Sequence, residues 1–323
     1  MSTWGKPAPG SMKTAIFLLV ALGIPGTIAS TLGGSAAGMA VGVAGGSALA
    51  FASVTDNRLA IPLALLVGAA GAAGAAVEGL PLAAGLLIAA TTLLVGAANQ
   101  LSIGMLALVP VLAVVFASTD RGLAWWAAGA WSLFGAICGL VLLRIIKGKS
   151  EPAPLDAPHA WRHAVALAIA CAVTFYVALE WSLPHGYWIT LTLLVALRPL
   201  PEERRDILSD RLWGTLLGAV IALVVAAVMP PTGTIIVAAL CLALLGAYAV
   251  SGNYFMQTLF LTPMLLLFAT AGDDESALRF TIERVLFTVT GVVIGAVLIA
   301  GLAWWDARDQ AAEPGQPEQL PAA

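Results

Sequence analysis

The chain has 323 residues, of which 60% are hydrophobic and only 10% charged, and its formal net charge is −3. Soluble globular domains carry about 25% charged residues, so a soluble enzyme or nucleic-acid-binding module is excluded, and no cofactor, metal or nucleic-acid partner is expected. The mean hydropathy of +0.95 and apolar stretches recurring from end to end predict an all-α polytopic membrane helix bundle with the lipid bilayer as its surroundings. A membrane barrel requires alternating ten-residue segments, and the sequence has none.

In chain order, apolar runs predict spans near 13–30, 31–53, 59–77, 80–97, 101–118 and 122–146, an N-terminal six-helix half covering 1–146. The first run, preceded by Lys13 and followed by small residues near Ser30, has features of a signal peptide; retaining it as a span gives a consistent topology. The second run carries Gly34, Gly38, Gly42 and Gly46 at four-residue steps, a predicted helix-packing face. Cys138, Cys171 and Cys241 each lie within an apolar run without metal-ligand spacing, and read as small buried hydrophobes.

The segment 147–160, "KGKSEPAPLDAPHA", is Pro-rich and charged and reads as a cytoplasmic linker. Its "GKS" lacks the leading Gly of a phosphate-binding loop, since that position is Leu143. H-E-x-x-H and G-x-S-x-G are also absent, so enzyme activity is not expected. A C-terminal six-helix half (161–305) follows, with spans near 161–180, 186–198, 210–229, 232–251, 253–271 and 280–305. The polar, Pro-rich tail 306–323 reads as disordered and cytoplasmic.

Basic residues fix an expected orientation. With the N-terminus in the cytoplasm, the cytoplasmic segments carry Lys6, Lys13, Arg58, Arg144, Lys147, Lys149, Arg162, Arg198, Arg204, Arg205, Arg211 and Arg308. The opposite side holds Arg121, Arg279 and Arg284. This positive-inside bias puts both termini in the cytoplasm.

Two repeats are visible. "NRL" (57–59), Pro110 and Asp120 in the first half fall at one offset from "DRL" (210–212), Pro263 and Asp273 in the second. Six spans per half make these parallel repeats. Within the second half, "RLWGTLLGAVI" (211–221) and "RVLFTVTGVVI" (284–294) share R-x-x-x-T-x-x-G-x-x-I, and "GYW" (186–188) has an echo in "NYF" (253–255). By the span count the two arginines start their helices from opposite faces, the plan of an inverted repeat; chance similarity in apolar sequence is the competing explanation.

Positions i, i+4 and i+7 share a helix face, which aligns Arg211, Thr215 and Gly218, and likewise Arg284, Thr288 and Gly291. Each face offers a cation, a hydroxyl and bare backbone suited to an anion's route; snorkelling arginines and packing glycines are the alternative. Arg284 departs from the positive-inside rule, and ionisable residues at membrane depth usually have a function. "YWITLTLLVALRP" (187–199) is too short to cross a bilayer, and short helices persist at membrane depth only when buried in protein or lining a cavity. Tyr187, Trp188, Thr190, Thr192 and Arg198 are its candidate pathway residues, with an interfacial aromatic belt the other explanation for Tyr187 and Trp188. Asn253, Tyr254, Gln257 and Thr258 are candidates in the echoing segment. His185, Glu180, Asp273, Asp274 and Glu283 are the groups available for proton coupling, but Glu283 is expected instead to neutralise Arg279 at i−4 and Asp273 and Asp274 to form a solvated loop, so the role is assigned to none of them.

The run "GYWITLTLLVALRP" followed by "RRDILSDRLWGTLLGAVIALVVAAVMP" resembles the fusaric-acid-resistance family of bacterial inner-membrane proteins, and more distantly the plant aluminium-activated malate channels. Tyr187, Trp188, Pro199, Arg204, Arg205, Arg211, Gly214, Thr215 and Gly218 carry the resemblance, which covers 161–305. It implies a bacterial plasma-membrane exporter of aromatic or other amphipathic organic acids; a passive organic-anion channel and a non-transporting scaffold are the alternatives. Family units of six spans are expected to pair, so one chain supplies both members of a pseudo-dimer, or two chains form a homodimer.

Overall fold

The computed structural model describes residues 6–7, 9–52, 60–101, 106, 108–118, 122–146, 156–197, 201–270 and 277–312. Among them are twelve helices and no strand: α1 (Ser11–Gly33), α2 (Ser35–Ala52), α3 (Ala60–Ala76), α4 (Pro81–Leu101), α5 (Leu108–Ala117), α6 (Trp125–Ile146), α7 (Ala157–Glu180), α8 (Tyr187–Ala196), α9 (Pro201–Val228), α10 (Pro231–Ser251), α11 (Tyr254–Thr270) and α12 (Ala277–Ala312). Seven, namely α1, α4, α6, α7, α9, α10 and α12, are long and apolar enough to cross a membrane. The 10 residues of α5 and of α8 reach roughly 15 Å, half a bilayer's hydrocarbon thickness.

Boundaries follow local chemistry. Gly34, at φ 82, ends α1, and Gly252, at φ 74, ends α10; both have the positive φ that glycine accepts without a Cβ penalty, and Gly252 is in the left-handed helical conformation. Asp156 precedes α7, which has a proline in its first turn, where no helical N–H bond is lost.

Three boundaries depart from the sequence expectation. Helix α9 starts at Pro201 rather than near 210, because "PEERRD" has a proline suited to the first position and strong helix formers behind it. Helix α7 takes in 157–160, the end of the expected linker. Helix α12 runs to Ala312, so the first part of the expected disordered tail is helical. There Arg308 stacks on Trp304 at 5.7 Å and Asp306 reaches Arg162 of α7 at 3.4 Å, tying that end of α12 down. Residues 147–155, 313–323, Arg198, Pro199, Asp273, Asp274, Arg58 and Arg121 lie outside the described residues.

Helices in lipid gain little from hydrophobic burial against one another, so small residues and close backbone approach dominate their packing. Helix α1 packs on α2, α2 on α6, α6 on α3, α3 on α5 and α5 on α4. The same series recurs as α7 on α8, α8 on α12, α12 on α9, α9 on α11 and α11 on α10. Helix α4 lies along α7, and α1 along α10.

The glycine ladder of α2 behaves differently from the expected packing face. Gly34 is the turn between α1 and α2, and a methyl placed on Gly42 or Gly46 would meet nothing within 4 Å; only Gly38 is tight, against Ser30 and Gly26 of α1. The close contact with α6 falls instead on Val41 and Gly45, against Gly135 and Gly139. Partner position, rather than glycine spacing, selects the face.

Candidate functional site

Helix α8 begins at a sharp reversal. Ser182 (φ 49) and His185 (φ 58) are non-glycine residues with positive φ, an uncommon conformation worth explaining. The loop presses on α7: a Cβ at Gly186 would sit 2.8 Å from Ala178 Cβ. The Trp188 N–H donates to the His185 carbonyl at 3.1 Å, and the Tyr187 and Trp188 rings stack with centroids 5.1 Å apart.

Helix α12 is two-faced. Leu278, Ile282, Leu286, Val289, Val293 and Val297 are exposed along one side, suited to lipid, while Arg284, Thr288, Gly291 and Gly295 are buried on the other. On α9, Arg211, Gly214, Thr215 and Gly218 are buried and Trp213, Leu217 and Val220 exposed. The glycines bring neighbouring helices close. A Cβ at Gly291 would lie 2.8 Å from Thr192 Cβ of α8, and one at Gly218 would lie 2.7 Å from the Leu259 carbonyl of α11. So α12 packs on α8 as α9 packs on α11.

Arg284 is 1% exposed and is the largest fully buried side chain among the described residues. Its guanidinium carbon sits 3.5 Å from the Trp188 ring centroid, yet Nε, Nη1 and Nη2 have no hydrogen-bond partner. Arg211, 3% exposed, also has a buried, unpartnered Nε, and it lies with Tyr187 and Tyr254 within electrostatic range of Arg284. Five more polar atoms are buried without partners: Trp188 Nε1, the hydroxyls of Thr192, Thr215 and Thr288, and the Tyr254 hydroxyl. They come from α8, α9, α11 and α12. Among the described residues, no ion pair reaches either arginine.

Magnitudes decide what this means. Stacking a desolvated guanidinium on Trp is worth about 2 kcal/mol, whereas an unpaired buried ion costs several kcal/mol. A second cation nearby deepens the deficit. An anion with several acceptor oxygens removes it, because guanidiniums, the indole N–H and the hydroxyls can all donate.

Other candidate residues are engaged locally. The Thr190 hydroxyl meets that of Thr174 on α7 at 3.1 Å. Asn253 Oδ1 accepts from the Met256 N–H at 3.1 Å, capping α11. Gln257 Nε2 donates to the Tyr248 carbonyl at 3.4 Å, and Thr258 Oγ1 to the Tyr254 carbonyl at 3.1 Å. These four serve helix ends and helix contacts here, so Tyr187, Trp188, Thr192, Arg211, Thr215, Tyr254, Arg284 and Thr288 make the cluster; Arg198 lies outside the described residues.

Beside the cluster is a pairing that residue-by-residue reading missed. His185 Nδ1 lies 2.9 Å from Glu283 Oε2, and Arg279 Nε donates to Glu283 Oε1 at 3.0 Å. The i−4 partner was readable from helical spacing; the histidine, 98 positions away in sequence, was not.

Residues 167–298 match the family described as fusaric acid resistance protein-like. No curated protein and no solved structure matches the chain. The matched segment contains every residue of the cluster, on α8, α9, α11 and the first two-thirds of α12. The chain is a multi-pass membrane protein that carries a fusaric acid resistance protein-like domain over residues 167–298.

Proposed function

We propose that the chain is a secondary transporter that exports aromatic or other amphipathic organic acids, with the acid's carboxylate held between Arg284 and Arg211. The observation that carries this reading is Arg284, wholly buried with all three nitrogens unpartnered. A carboxylate supplies the missing charge, and Trp188 and Tyr187 offer faces to an apolar or aromatic body. Closure of Trp188 over the guanidinium supports an occluded, gated site.

In the same reading all twelve helices sit in the bacterial plasma membrane with both termini cytoplasmic, as the basic-residue bias suggests. The recurrence of one packing series in α1–α6 and α7–α12, with α4–α7 and α1–α10 as reciprocal contacts, supports two six-helix halves acting as a pseudo-dimer within one chain. The exchange of partners between α9–α11 and α12–α8 supports the inverted repeat.

The test is flux of a benzoate-type acid in proteoliposomes. Wild type moves the acid and responds to an imposed proton gradient; Arg284→Gln loses binding by about 3 kcal/mol, on the order of 100-fold, while remaining inserted and folded. Unchanged flux in the variant contradicts the reading. Flux that follows only the acid's own gradient assigns a passive channel instead.

A further inference from the structure

The reversal before α8 ties two functions together at one residue. The His185 carbonyl caps the first turn of α8 through the Trp188 N–H, while its imidazole bonds Glu283, the residue immediately before Arg284. The ring is held edge-on to Phe280 of α12, with centroids 4.5 Å apart. His185 therefore links the backbone that places Trp188 to the turn of α12 that places Arg284. The Trp188–Arg284 stack at 3.5 Å closes the cluster between them.

We propose that His185 and Glu283 form a proton-binding latch that couples pH to the closure of Trp188 over Arg284. The inference rests on the reading that the Arg284 cluster carries an anion. Among the described residues, Glu283 bonds the imidazole from α12 and Arg279 bonds the same carboxylate, with Arg284 one residue on; Tyr187 is the neighbour on its own segment, at 6.3 Å between rings. Helix α7 contributes Glu180, which is exposed, and Asp273, Asp274 and Glu275, just before α12, lie outside the described residues.

An imidazole can take a proton at Nε2 while Nδ1–H stays on a carboxylate. Neutral His185 donates one hydrogen bond from Nδ1 to the carboxylate. A proton added at Nε2 turns that hydrogen bond into an ion pair, adding a direct Coulombic attraction between the imidazolium and the carboxylate that Arg279 also contacts. The protonated latch holds α8 against α12; the deprotonated one lets the first turn of α8 lift and opens Arg284. In the proposed topology the latch faces away from the cytoplasm, so external protons shut the site.

The experiment is hydrogen exchange of the amides of residues 187–191 in the full chain in lipid nanodiscs at pH 6 and pH 8, corrected for intrinsic exchange. Benzoate flux in proteoliposomes is measured alongside. Wild type is expected to open about threefold more at pH 8, in proportion to one partly exposed ion pair. His185→Asn keeps the positive φ that Asn tolerates and a donor for Glu283 but cannot be charged; it should exchange equally at both pH values, as should Glu283→Gln. Equal exchange at both pH values in wild type overturns the latch, whatever the flux. So does a pH response that survives in His185→Asn. A pH-dependent opening lost in both variants supports the latch; if that protein moves no anion at any pH, the transport reading fails and the latch stands.

Discussion

Arg284 carries an imbalance that its neighbours do not correct. Stacking on Trp188 offsets part of the desolvation, and the surrounding hydroxyls offer only weak dipoles to a full charge. Replacing Arg284 by Met removes the unpaired charge while keeping an unbranched apolar side chain. By analogy with buried ions exchanged for apolar residues, the protein without substrate should gain about 1–4 kcal/mol in stability, read as a raised midpoint of unfolding in detergent. A lower midpoint would mean that a partner satisfies the guanidinium in the resting protein. At the cytoplasmic end proposed for α7, the Asp156 carboxyl is held below the usual carboxylate range by its hydrogen bonds with His159, at 2.7 and 2.8 Å, before any charge effect. A depressed folded value means that its stabilisation is present above the ordinary carboxylate pKa near 4 and disappears as pH falls through the folded value. The first turn of α7 should therefore fray on acidification below about pH 4, with faster amide exchange than at pH 6; Asp156→Asn should show no such difference.

Between elements, glycine position decides how closely helices meet. A methyl at Gly218 would press on the Leu259 carbonyl and Pro263 of α11, whereas one at Gly301 of α12 meets nothing within 4 Å. Gly218→Ala should destabilise by about 1–3 kcal/mol through overpacking, and Gly301→Ala should be neutral or stabilise by up to about 1 kcal/mol. Equal midpoints for the two variants would contradict the close α9–α11 contact. The same contrast explains what could be read from the sequence. The faces of Arg211, Thr215 and Gly218, and of Arg284, Thr288 and Gly291, follow from helical periodicity within one segment, so they were legible. The α2 ladder was not, because Gly42 and Gly46 have the right spacing but face away from α6. Nor could Thr190 be assigned, since its partner Thr174 lies on another helix. The short α8 was legible from the shortness of the apolar run 187–199, and its role beside Arg284 only from tertiary contacts.

Across the whole molecule, chemistry is unequal while the packing series repeats. At the repeat offset that sets Pro110 on Pro263, the position matching Arg284 is Trp131, so the first half has no counterpart of the buried arginine there, and one anion site per chain is expected. The α4–α7 and α1–α10 contacts should hold the halves together without the covalent linker: fragments 1–152 and 153–323, co-expressed, should co-purify in mild detergent. Separate elution would contradict the pseudo-dimer. Extended apolar stripes such as that of α12 face outward, which fits lipid contact around the bundle. The most direct test of the central claim is equilibrium binding of a radiolabelled aromatic carboxylate to the purified chain. Binding of one molecule per chain, lost in Arg284→Met while the fold is kept, is the predicted result; undiminished binding in that variant would contradict the buried guanidinium as the anion's partner.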